Sequence, residues 1–195
     1  MDLTLASEKR IQIIKAADKR FAKHGLNKTT LDEIARDLRI GKATLYHYFK
    51  SKDDLFYQTI SWEVEQYIQN VTSTLQNSEQ QITNRLLDYI SYKENLNQHS
   101  KLLYDMLVKV IEGYSLEAEN KILNDLFRAE EELLKAVLTD FFHSKVVSVT
   151  PVLPTYILML SWGMVFGNRL NKTAFQERVV NYKELILKSI ESVLR

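Results

Sequence analysis

Helix breakers are almost missing from this chain: both prolines, Pro151 and Pro154, sit in one short stretch, and the five glycines are scattered. Strand-turn-strand folds need repeated Gly, Pro, Asn and Asp punctuation, and here apolar residues recur at helical steps nearly throughout. The expectation is an all-α fold of about nine helices. An apolar fraction of 45% over 195 residues is enough for a real core in one large or two small domains. The absence of Cys excludes disulfides, thiolate zinc sites, iron-sulfur clusters and a cysteine nucleophile.

The longest apolar stretch, Tyr156 to Phe166, is broken by Ser161 and Gly163 and falls short of the ~18–20 residues that span a bilayer. Met1 to Arg10 mixes Asp2, Glu8, Lys9 and Arg10, so no targeting segment is read there. The reading is a soluble, cytoplasmic protein with no membrane partner.

Charge is divided along the chain. Residues 1–60 hold 12 Lys and Arg against 8 Asp and Glu, or +4, whereas the remainder holds 14 against 17, or −3. A basic head on an acidic body suits a nucleic-acid partner.

The head reads as three helices. The first is expected to start after Ser7, to carry Ile11, Ile14, Ala17 and Phe21 on one face, and to stop at Gly25. Thr30-Leu-Asp-Glu33 is a capping box, and Leu31, Ile34, Ala35 and Leu38 follow at i, i+3, i+4 and i+7. Gly41 marks the tight turn beyond it. A short third helix, Lys42 to Tyr48, puts Leu45 and Phe49 one turn apart and toward the core. Its other side then presents Ala43, Thr44, Tyr46 and His47, with Lys42 and Tyr48 on the flanks. Ser51 caps a long fourth helix whose apolar face runs Phe56, Ile60, Val64, Tyr67, Ile68, Val71 and Leu75.

A glycine turn followed by a compact helix with polar groups outward is the helix-turn-helix arrangement for entering a major groove. Lys42 can donate to guanine or phosphate, and Thr44 and His47 can reach base edges. Thr30, Tyr46, Tyr48 and Lys52 suit phosphates, and Ala43 shares the outward side.

The run Thr30-Leu-Asp-Glu-Ile-Ala, continued by Ile40-Gly-Lys-Ala-Thr-Leu-Tyr-His-Tyr-Phe49-Lys-Ser-Lys-Asp-Asp-Leu-Phe56, resembles the DNA-binding domain of TetR-type transcriptional regulators. The signature Leu-Tyr-x-x-Phe-x-x-Lys is met by Leu45, Tyr46, Phe49 and Lys52, while Tyr48 stands where many members carry His. The resemblance covers roughly residues 8–56. It implies a three-helix, homeodomain-like head over residues 1–51, with its motif at about 30–49, and a helical regulatory and dimerisation body over 52–195. It also implies a homodimeric operator binder, most often a repressor, released by a ligand.

In the body, Ser78, Ser100 and Ser115 are the expected N-caps of three helices, followed by one at about Thr155 to Leu170 and one at about Ala174 to Leu194. Gly163 and Gly167 would admit a close helix, and with Val179, Tyr182 and Ile186 they form the expected face toward a second copy. Trp62, Tyr67, Tyr89, Tyr92, Tyr104, Met106 and Phe127 are the candidate lining of a site for a small apolar or amphipathic ligand.

Catalysis finds little support. The four His residues (His24, His47, His99 and His143) form no H-E-x-x-H pattern, and glycine-rich phosphate loops are absent. No metal site or cofactor is expected. The competing reading is a helical protein-protein interaction module without DNA binding.

Overall fold

The computed structural model describes residues 3–114, 116–143 and 152–174, together with 188 and 192. Among these residues the fold is all-α, with nine helices in the order α1 (Leu3–Lys28), α2 (Leu31–Asp37), α3 (Lys42–Tyr48), α4 (Lys52–Leu75), α5 (Ile82–Glu94), α6 (Leu96–His99), α7 (Lys101–Ile111), α8 (Glu117–His143) and α9 (Leu153–Ala174). None of the helices among the described residues is long and apolar enough to cross a membrane.

α1 starts at Leu3, ahead of the expected Ser7, because nothing between them breaks a helix. It is interrupted where expected: Gly25 has φ 77° and ψ 167°, a conformation that a Cβ would strain, before one further turn to Lys28. Thr29, buried behind this break, donates to the freed Gly25 carbonyl at 2.8 Å.

The capping box at α2 is complete. Glu33 N–H donates to Thr30 Oγ1 at 3.3 Å, and Thr30 N–H donates to Glu33 Oε2 at 2.8 Å. At the other end of α2 the left-handed residue is Arg39, with φ 54°, and not Gly41, which is extended and caps α3. Arg39 N–H donates to Arg36 O at 3.1 Å and Ile40 N–H to Ala35 O at 3.0 Å, the paired bonds of a Schellman ending. The turn closes there because Ile40 folds back to pack against the core.

α4 links head and body. Ser51 accepts from Asp54 N–H at 3.0 Å to start it, and Phe56 meets Phe21 of α1 edge-on at 5.2 Å between ring centres. Tyr67, Val71 and Leu75 lie buried further along. Val64, expected on this face, is only half-buried, and Glu63 takes the buried place beside it.

The body differs from expectation at its helix starts. Gln81, not Ser78, precedes α5. A short extra helix, α6, leads into α7, which starts after Ser100 as expected, although the buried Ser100 hydroxyl faces His99 Nδ1 at 3.2 Å and makes no capping bond. α9 runs from Leu153 to Ala174, longer at both ends than the expected Thr155 to Leu170. Ser115 and most of the expected final helix lie outside the described residues; Lys188 and Ser192 within it are helical.

Candidate nucleic-acid interface

The outward side of α3 is built by anchoring its inward side. Leu45 and Phe49 are each 1% exposed, which is worth roughly 1.5–3 kcal/mol per side chain against leaving them in water. With those two fixed, the helical period leaves Lys42, Ala43, Tyr46 and His47 exposed and Thr44 and Tyr48 half-buried. Tyr46 is 51% exposed, high for an aromatic side chain on a helix this well anchored. His47 meets the Tyr48 ring edge-on at 5.1 Å, which holds the two side chains in fixed relation.

Lys42 is paired across the turn with Asp32 at 2.9 Å, and this hydrogen bond raises its pKa. Its ammonium is therefore held charged at the N-terminal end of α3. Thr30 is exposed but its hydroxyl is engaged with Glu33. Lys52 donates to the Leu26 carbonyl at 2.9 Å, tying the start of α4 to the end of α1. The structure thus brings Lys42, Ala43, Thr44, Tyr46 and His47 to one side of one helix, with Thr30 and Lys52 engaged at neighbouring helix ends.

α2 is held to α1 by a fork: Arg20 Nε donates to Asp37 Oδ2 at 2.6 Å and Nη2 to Oδ1 at 2.7 Å, with Glu33 at 3.3 Å from Nη1. The Arg20 hydrogen bond holds the Asp37 carboxyl below its ordinary range, and the Thr30 backbone and side-chain hydrogen bonds do the same for Glu33.

In the body, four of the seven expected lining residues come together. Tyr67 stacks on Tyr92 at 5.8 Å and lies 6.0 Å from Trp162, while Phe127 meets Trp162 edge-on at 5.4 Å. Tyr67 and Tyr89 donate to Glu130 Oε1 at 2.7 and 2.9 Å, and Trp162 Nε1 donates to Oε2 at 2.7 Å. Burial raises both tyrosine hydroxyls well above their ordinary pKa. Trp62 and Tyr104 are half-buried against the core and Met106 is buried in it.

The centre of this group escaped the sequence reading. Lys93 Nζ donates to Tyr89 Oη at 2.7 Å and to Ser161 Oγ at 2.8 Å, and sits 4.0 Å above the Trp162 ring. Burial pushes Lys93 down from the usual 10.5 to about 8, against the pull of Glu130. A signal did exist: Lys93 follows Leu86, Tyr89 and Ile90, and Glu130 follows Leu123, Leu126 and Phe127, each in the apolar register of its helix. Glu63, between Ile60 and Tyr67, shows the same pattern.

Residues 13–59 match the sequence profile described as bacterial regulatory proteins, tetR family. Residues 13–59 thus carry a helix-turn-helix head of the tetR family. The head is 37% identical over 70 residues to the HTH-type transcriptional regulator HbdR of Aromatoleum sp. strain CIB, covering 36% of this chain and 31% of that protein. It is 38% identical over 63 residues to an HTH-type transcriptional regulator of Staphylococcus aureus strain USA300, covering 32% and 34%. The aligned stretch therefore spans about a third of either relative's length.

The fold of the chain is shared with solved structures. Escherichia coli NemR in its reduced form superposes with a TM-score of 0.69 at 20% identity, covering 95% of this chain and 96% of that one. A transcriptional regulator from Cytophaga hutchinsonii gives 0.64 at 27% identity, covering 93% and 92%. Bacillus subtilis FadR in complex with stearoyl-CoA gives 0.63 at 21% identity, covering 94% and 96%. The Cytophaga hutchinsonii and Bacillus subtilis proteins are named as transcriptional regulators.

Proposed function

We propose that this tetR-family protein is a sequence-specific DNA-binding transcriptional regulator, a homodimeric repressor whose α3 reads one half of a pseudo-palindromic operator. One observation carries the reading: Lys42, Ala43, Thr44, Tyr46 and His47 share the outward side of a helix whose inward side is fully buried. Head and body divide at about residue 51, with residues 52–195 as the regulatory part, and α4 belongs mechanically to both.

A dimer doubles the readout over half-sites ~34–36 Å apart. Its support is a stripe along α9 and the turn before it: Val152 precedes the helix, Tyr156, Met159 and Gly163 are exposed on it, and a Cβ at Gly163 or Gly167 would meet nothing within 4 Å. Val179, Tyr182 and Ile186, the other expected contacts, lie outside the described residues.

A small apolar or amphipathic ligand in the body is supported by the gathering of Tyr67, Tyr89, Tyr92 and Phe127 on α4, α5 and α8, and by the acyl-CoA seen in the FadR neighbour. Because Tyr67 is on α4, a ligand that prefers a tilted α4 would move the two heads out of groove register.

The test is retention on duplex DNA as salt rises. A nucleic-acid binder releases counterions and loses affinity steeply; no retention even at low salt would leave the protein-protein module as the better reading. For the ligand, thermal-shift screening coupled to duplex release is decisive, and a screen yielding no saturable compound that releases DNA would overturn that part.

A further inference from the structure

We infer that Asp18 and Glu63 share a single proton, and that this carboxyl-carboxylate bridge fastens the reading head to the body so that duplex binding is proton-linked. The linkage rests on the DNA-binding reading above; the shared proton does not.

Glu63 is 4% exposed on α4. Its Oε2 accepts from Leu103 N–H at 2.7 Å and its Oε1 from Leu102 N–H at 3.3 Å, both in the first turn of α7. Asp18 comes from α1, and the two carboxyl groups lie within hydrogen-bonding reach of each other. Asp18 Oδ1 is buried with no donor among the described residues. Two ionised carboxylates only accept, so a proton on one of them supplies the missing donor. A buried polar atom left unsatisfied is costly, and the bridge removes that cost.

Three helices meet at this point, and α1 is the element that Arg20 binds to α2. Lys19 on α1 acts on Asp18 and favours its ionised form. On α7, Lys101 and Asp105 are paired with each other near the surface, and Tyr104 is half-buried against the core. On α4 the next ionisable side chain along the buried face, Tyr67, is engaged by Glu130. Burial raises both carboxyls, and carries Glu63 from 4.5 to about 8, with Asp18 adding to the rise and the α7 N–H groups opposing it.

The sign follows. Below about pH 8 the proton is present and the bridge closes. As pH rises through that value two negative charges oppose each other where α1, α4 and α7 meet, and α1 loses its hold on the body. Folding stability tied to the pair is full below the ordinary Glu value of 4.5, declines between there and about 8, and is flat above.

The experiment compares the full-length wild type with Asp18→Asn, whose amide N–H donates to Glu63 without a proton, and with Glu63→Gln as a second neutral variant. A duplex selected from a random-sequence pool by the wild type at about pH 7 serves as the DNA probe. Relative to Asp18→Asn, wild-type affinity is expected to fall about tenfold per pH unit above pH 8. Its urea midpoint should fall with pH below that point, and it should show a protonated-carboxyl infrared band that Asp18→Asn lacks. Identical pH profiles and infrared bands in wild type and both variants would overturn the shared proton. A urea and infrared difference without an affinity difference would overturn the linkage to DNA. Failure to select any duplex would sink the DNA-binding reading and the linkage, with the urea and infrared arms still deciding the proton.

Discussion

Lys93 Nζ lies 2.9 Å from Glu130 Oε1, with both side chains wholly excluded from solvent, deep in the C-terminal helical body. Such a pair is held against a large desolvation penalty and survives because Tyr67, Tyr89, Ser161 and Trp162 complete its hydrogen bonds. Removing one partner leaves the other charged and unpaired. Lys93→Met is expected to lower unfolding free energy by about 3–5 kcal/mol, and Glu130→Ala by more, since it strands the Tyr67 and Trp162 donors as well as the Lys93 charge. Lys93→Met combined with Glu130→Gln, which leaves no net charge inside, should recover a large part of the loss. Urea denaturation of these variants and of Glu130→Gln alone measures this; a strictly additive double variant would refute it.

The same pair sets an alkaline signature. Lys93 binds its proton less tightly in the folded state, at about 8 against the usual 10.5. Between those values the unfolded chain holds more protons, so stability should rise with pH across that window. Wild type minus Lys93→Met, followed by urea midpoint from pH 8 to 10.5, should show the rise.

Lys42 and His47 are exposed on the outward side of α3, Lys42 paired only with the exposed Asp32, whereas Lys52 is tied to a main-chain carbonyl. Lys42→Ala and His47→Ala should each weaken a selected duplex by ~1–3 kcal/mol more than a random duplex, if each makes a good base contact. Lys52, spent on the Leu26 carbonyl, joins two helices. Lys52→Met should therefore lower the thermal midpoint and weaken both duplexes equally. Fluorescence anisotropy on both DNAs separates the cases.

Arg39 holds a left-handed backbone at φ 54° in the turn between α2 and α3. An L side chain there costs about 1–2 kcal/mol relative to glycine. Arg39→Gly is expected to raise stability by about 1 kcal/mol, measured by urea midpoint, because the Schellman bonds that fix the turn are main-chain and remain.

Thr30→Ala removes the side chain that receives Glu33 N–H. A loss of about 1 kcal/mol is expected. Faster amide exchange confined to the first turn of α2 would identify the frayed end.

Much of the head was legible because its determinants are local. A capping box, a stripe at i, i+3, i+4 and i+7, and a glycine needing positive φ each act within a turn of helix, so the boundaries of α2 and α3, the break at Gly25 and the outward side of α3 follow from spacing alone. In the body the same spacing marked Tyr67, Tyr89, Tyr92 and Phe127 as inward but not what they surround. Ser78 and Ser100 have the chemistry of caps, yet α5 starts after Gln81 and Ser100 turns to His99.

Sequence by itself therefore determined an all-helical chain with a head whose third helix turns Lys42, Tyr46 and His47 away from its core. Only tertiary structure decided that Lys93 meets Glu130, that Glu63 binds the start of α7 beside Asp18, and that Lys52 reaches Leu26. The physical reason is range. Helical period assigns a residue to a face, but whether a charge on that face is tolerable depends on groups tens of residues away, such as Ser161 opposite Lys93, that folding alone brings within hydrogen-bond distance.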